Sequence, residues 1–114
     1  MPSVVFTPTF LRAGERLGID DSGLDAIAER IANDPLAGDL VPGTGGARKL
    51  RFARPGGGRS GGYRTIHYFG GDDVPVFLLT VYGTGDMANL SKAERTALSS
   101  VLPTLASAYR ASKG

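Results

Sequence analysis

The chain has 114 residues, 17 of them glycine and none cysteine, with 13 Lys+Arg against 11 Asp+Glu. That length suits a single domain, 1–114, able to bury a modest core, and the absence of cysteine excludes disulfides, thiolate metal sites and a cysteine nucleophile. No apolar run approaches the roughly 20 residues that cross a bilayer, and the start MPSVVFTPTF lacks the basic head and apolar core of a secretion signal, so a cytoplasmic protein without a membrane partner is expected.

Val4, Val5 and Phe6, bracketed by Pro2 and Pro8, predict a short first strand over 3–7. Thr9 to Leu17 carries Phe10, Leu11, Ala13 and Leu17, a short helix stopped at Gly18. Asp20, Asp21 and Ser22 offer capping oxygens for a second helix. Its apolar stripe is Leu24, Ile27, Ala28 and Ile31, recurring at i, i+3, i+4, i+7. Asn33-Asp34-Pro35 ends it, because a proline biases the residue before it away from helical angles.

Leu40-Val41-Pro42 reads as a short extended piece, and Gly43-Thr44-Gly45-Gly46 as a turn. From Arg48 the pattern becomes that of a strand. Alternation puts Leu50 and Phe52 on one face and Lys49 and Arg51 on the other. Residues 54–61 form a glycine-rich hairpin loop, and Gly62 to Phe69 returns as a second strand. VFLLTVY, Val76 to Tyr82, is an almost unbroken apolar run, hence a strand buried on both faces or nearly so. Ser91 and Glu94 make a capping box for a last helix with Leu98, Val101, Leu102 and Leu105 inward. Pro103 inside it predicts a kink or break near residues 99–101. The order β-α-α-β-β-β-α gives an α+β domain, a twisted, mainly antiparallel sheet with its helices on one face.

The charges are not evenly spread. Arg48, Lys49, Arg51, Arg54, Arg59 and Arg64 fall between Gly45 and Tyr68, and no acid occurs there. The remaining chain has seven cations against eleven anions, so the +2 total hides a basic face on an acidic body. Such a face attracts polyanions and speeds their encounter. The single histidine, His67, and the lack of nearby carboxylates argue against a two-metal nuclease. No serine sits in a nucleophile elbow, and neither glycine cluster matches a phosphate-binding loop.

Metal-free work on RNA remains open, because RNA carries its own nucleophile, the 2′-hydroxyl. A protein can align that oxygen, ease its deprotonation and stabilise the phosphorane with guanidinium groups. Arginine forks match phosphate oxygens, and a lysine crowded by arginines can serve as a base. Taken alone, a run of surface arginines is more often a solvated face. A lone histidine or strand tyrosine is more often structural than a catalyst or base platform.

The segment PGTGGARKLRFARPGGGRSGGYRTIHYF, Pro42 to Phe69, strongly resembles the RelE/HigB-like toxins of bacterial type II toxin–antitoxin systems. The shared features are the GTGG turn, an RK-x-R strand, a GxGxSGGYR hairpin and an aromatic strand. VFLLTVY and the NLS-to-Glu stretch at 89–94 agree in order, and the likeness runs over about residues 3–105. The resemblance implies a RelE-like fold and a metal-independent, cofactor-free mRNA endonuclease acting in the ribosomal 30S A site. It implies catalytic roles for Lys49, Arg51 and Arg64, with Arg48, Arg54, Arg59, His67, Tyr68 and Tyr82 as RNA-binding or auxiliary residues. The expected partners are mRNA, the ribosome and a cognate antitoxin of the HigA-like helix-turn-helix kind. The sequence departs from the family after its last strand, where Tyr82-Gly83-Thr84-Gly85-Asp86 lacks the usual cation at Thr84 or Gly85. That departure motivates an alternative: a non-catalytic or decayed homologue that binds RNA or ribosome and its antitoxin through the basic face. A ParE-like gyrase poison has little support, because the active-face pattern is of the ribonuclease type.

Overall fold

The computed structural model describes residues 3–53, 62–83 and 90–113. Eight elements follow in order: β1 Val4–Phe6, α1 Pro8–Arg16, α2 Asp21–Asn33, β2 Asp39–Leu40, β3 Arg48–Phe52, β4 Tyr63–Tyr68, β5 Val76–Gly83 and α3 Lys92–Lys113. The strands form one five-stranded sheet in the order β1-β5-β4-β3-β2. β1 runs parallel to β5 and the other pairings are antiparallel. The α+β class and the order of the main elements match the sequence reading. The added element is β2, a two-residue strand where only an extended piece was expected.

Local signals explain the helix starts. Thr7 caps α1, its hydroxyl oxygen accepting from the Phe10 N–H at 3.2 Å, and Pro8 opens the helix where no N–H is needed. The same hydroxyl donates to the Leu78 carbonyl at 2.9 Å, which ties the cap to β5. Asp20 caps α2 by accepting from the Gly23 N–H at 2.8 Å. At α3 the capping box closes in both directions: the Ser91 N–H donates to Glu94 Oε1 at 2.9 Å and the Glu94 N–H to Ser91 Oγ at 3.1 Å. Of the expected kink or break, the break does not occur: α3 is continuous through Pro103. Pro103 and Ser99 both lie on the exposed side, so water can satisfy the Ser99 carbonyl that the proline leaves without a donor.

The helices do not share one face of the sheet, which corrects the sequence reading. Phe10 and Ala13 of α1 and Ile27 and Ile31 of α2 pack with Tyr63, Val76, Leu78 and Val81. Leu98, Leu102 and Leu105 of α3 pack with Ile66, Phe77 and Leu79 instead. Neighbouring β5 residues point to opposite sides, so an apolar strand such as VFLL needs a cover on each. The β4–β5 pairing jumps from His67–Leu78 to Ile66–Thr80, a bulge that passes over Leu79. Leu79 keeps to the α3 side with Phe77, and the bulge changes the phase beyond it, so that Val81 falls on the α1–α2 side with Val76 and Leu78. The far end of α3 is held by Arg110, whose Nη2 lies 2.8 Å from Asp73 Oδ1.

Candidate functional site

The registers set two rows of side chains on the α3 side of the sheet. The first row crosses β2 to β5 as Asp39, Lys49, Ile66 and Thr80. The second lies two residues along and reads Arg51, Arg64 and Tyr82. A shift of two residues preserves the face, so both rows look the same way. α3 covers Ile66 and packs against Tyr82 at the β5 end, and leaves Arg51 and Arg64 of the second row open.

Asp39, Lys49, Arg51 and Arg64 together line a cavity of about 270 Å³. The three cations that the motif singled out therefore converge on one spot. Arg51 is exposed, and Lys49 and Arg64 are half-buried. A fourth group, the Asp39 carboxylate, was missed by the sequence reading, which found no carboxylate within the basic segment. Its signal is the β2–β3 hairpin: the GTGG turn folds Asp39 back against Lys49. Beside this cavity, and sharing Asp39 and Lys49 with it, lies a cleft of about 340 Å³ that reaches Arg95 on α3. Arg95 carries no signal in the sequence, because its place depends on where α3 docks.

Tyr82 stands opposite Arg64 on β5. Burial, helped by the negative charge of Glu94, pushes its phenol up to about 12. The hydroxyl therefore stays protonated at neutral pH and can donate to a phosphate oxygen, but it cannot act as a phenolate base.

Other auxiliary candidates are elsewhere. Arg48 points to the opposite face, where Nη1 donates to the carbonyls of Leu36 at 3.0 Å and Gly38 at 3.3 Å. It ties down the loop before β2 and does not join the cationic cavity. His67 is also on the opposite face, 0% exposed, with Nε2 3.0 Å from the Pro35 carbonyl. A carbonyl can only accept, so Nε2 carries the proton, and buried Nδ1 has no partner among the described residues. Burial lowers the His67 pKa and keeps the ring neutral. His67 therefore lies buried against the Pro35 loop, away from the cationic cavity. Tyr68 shares the face of the site but packs, half-buried, with the α3 cluster and near Gly46 and Gly70, and it does not line the cationic cavity. Arg54 and Arg59, and the departure at Thr84-Gly85, lie outside the described residues.

Among the described residues, no group of three His, Cys, Asp or Glu side chains comes together to hold a metal ion. Among the same residues, no helix is long and apolar enough to cross a membrane. A family model described as the RelE toxin of the RelE/RelB toxin–antitoxin system matches residues 3–112. Among solved structures, a double mutant of the E. coli toxin RelE in the free state is similar at 20% identity and a TM-score of 0.49, covering 75% of this chain and 86% of that one. A match over nearly the whole length, on a chain whose RK-x-R strand and YR hairpin share one cavity, has a plain consequence: this protein belongs to the RelE toxin family, the toxin half of a toxin–antitoxin pair whose partner is an antitoxin.

Proposed function

We propose that the chain is a metal-independent mRNA endonuclease that cuts ribosome-bound mRNA in the A site and so stops translation. The observation that carries this reading is the cavity itself: two guanidinium groups, one ammonium and one carboxylate around a single space. Arg51 and Arg64 are suited to the non-bridging phosphate oxygens, where their planar forks meet the charge that grows in the phosphorane. Asp39 supplies the proton acceptor. A carboxylate needs no prior loss of a proton at neutral pH, whereas an ordinary ammonium does. The 2′-hydroxyl gives its proton to Asp39 and its oxygen bonds to phosphorus. The bond to O5′ breaks, and the departing oxygen takes a proton from the Lys49 ammonium. The products are a 2′,3′-cyclic phosphate and a 5′-hydroxyl end, with no water consumed. Tyr82 adds a neutral donor beside Arg64.

The cognate antitoxin is proposed to be a HigA-like helix-turn-helix protein, and the site of action the cytoplasm, where translating ribosomes are found. Expression of the chain alone should arrest growth and leave discrete mRNA ends detectable by primer extension, and co-expressed antitoxin should remove both effects. Intact mRNA on translating ribosomes in cells that hold the folded toxin would refute the enzyme. RNA binding with a steep salt dependence but no cleavage would instead favour a binding module.

A further inference from the structure

We propose that the cleft beside the cationic cavity is a nucleobase slot, seating the base of a nucleotide next to the scissile phosphate, with Arg95 contacting the base edge. This inference rests on the reading of the chain as an RNA-cutting toxin and adds a specificity site to it. The cleft is lined by Val41 and Pro42 ahead of the GTGG turn, by Ile66 of β4, and by Leu90 and Arg95 at the start of α3. The lining is about equally apolar and polar, a mixture that suits a base, whose face is apolar and whose edge is polar. Asp39 and Lys49 border both this cleft and the cationic cavity, so the two are adjoining. A nucleotide whose phosphate sits among Arg51 and Arg64 can therefore place a neighbouring base in the cleft.

The GTGG turn acquires a task here that no phosphate loop would explain. Thr44 is fully buried, its hydroxyl donating to the Val41 carbonyl at 2.7 Å while accepting from the Ala47 N–H at 3.0 Å. Gly43 and Gly45 take positive φ angles of 79° and 81°. A Cβ on Gly45 would lie 3.5 Å from the Ser99 backbone, and one on Gly43 would lie 3.9 Å from Arg95 Cβ. The turn thus lies against the first turns of α3 and holds the Val41–Pro42 wall at a set distance from Arg95. A rigid slot selects; a loose one only binds. Arg95 can offer two parallel donors to a base edge that presents acceptors.

The test uses methyl-resolved NMR on the full chain, titrated with each ribonucleoside 5′-monophosphate and with ribose 5-phosphate, which has no base. The nucleotides should shift the Ile66 and Leu90 methyls, and ribose 5-phosphate should not. The ratio of nucleotide to ribose 5-phosphate affinity should fall about fivefold or more in Arg95→Ala. Equal shifts from both probes, or no shift at Ile66 and Leu90 up to the solubility limit, would overturn the slot. Cleavage gives a separate readout: where the wild type cuts RNA, Arg95→Ala should flatten the base preference around the cut positions, and an unchanged preference would count against the slot. A wild type that cuts nothing refutes the enzyme and leaves the NMR outcome to decide the slot.

Discussion

Arg51 and Arg64 face each other across β3 and β4 on the same side of the sheet, with Lys49 two residues away. Like charges directly opposite one another destabilise a sheet. Two unit charges about 7 Å apart in water repel by about 0.6 kcal/mol, and Lys49 adds a smaller term. Replacing Arg64 by glutamine keeps the length and polarity of the side chain while removing one charge. The Asp39 carboxylate in the same cavity offsets part of this, so we expect Arg64→Gln to stabilise the fold by about 0.5 kcal/mol, or about 2 °C in Tm for a domain of this length. The same change should lower RNA cleavage by about 10² to 10³-fold, the usual effect of losing one donor to transition-state charge. Thermal melts followed by circular dichroism would measure the first, and primer extension the second. The stability gain should shrink at 1 M salt, where the screening length falls to about 3 Å. Two results would refute the reasoning. If Arg64→Gln melts below the wild type at low salt, or if its advantage ignores salt, the guanidinium groups are not crowded as described. If the variant still arrests growth, Arg64 does not hold the phosphate.

Two further outcomes follow from the site and its back face. His67 is buried neutral with its pKa lowered, so the unfolded chain takes up its proton first, near pH 6.5. Its contribution is therefore complete above that pH and is lost as pH falls below it toward the folded value, at up to about 1.4 kcal/mol per pH unit. Denaturant melts of wild type and His67→Gln between pH 5 and 7.5 should differ in slope, the variant being flatter, and parallel curves would contradict this. Asp39→Asn should bind RNA more tightly, because an anion is removed from a cationic cavity, yet cleave it about a hundredfold more slowly. Anisotropy binding at fixed salt and single-turnover cleavage would separate the two effects, and wild-type cleavage by the variant would remove Asp39 as the proton acceptor.

Much of this site could be read from residue spacing, and the failures have definite causes. Alternation placed Lys49 and Arg51 on one face of β3, and the structure agrees. The same alternation sends Arg48 to the other face, where it meets the Leu36 and Gly38 carbonyls. Grouping it with its neighbours by charge density, and not by parity, is what misplaced it. His67 follows the same rule on β4, one step out of phase with Arg64 and Ile66. The caps at Asp20 and Ser91 were legible because capping is local. β2 was not, because a strand of two residues is defined by its partner and has no pattern of its own. The side on which α3 docks, and with it Arg95, is decided by tertiary packing. Even so, the apolar run in β5 already required a cover on both faces.

That packing also explains why the cations stand open at all. On one face of β4, Ile66 and Arg64 are two residues apart. Ile66 is 1% exposed and sits in the cluster beneath α3, whereas Arg64 is only half-buried. Drawing the helix over the second row would bury Arg51 and Arg64 together, against each other and without enough carboxylate to offset them. The effective penalty for a buried unpaired charge is several kcal/mol per ion, which burial of the aliphatic stems beneath the helix would not offset. The edge of the covered region therefore falls between Ile66 and Arg64 for energetic reasons. The side chains suited to hold a phosphate are also the ones that keep the helix from closing over it.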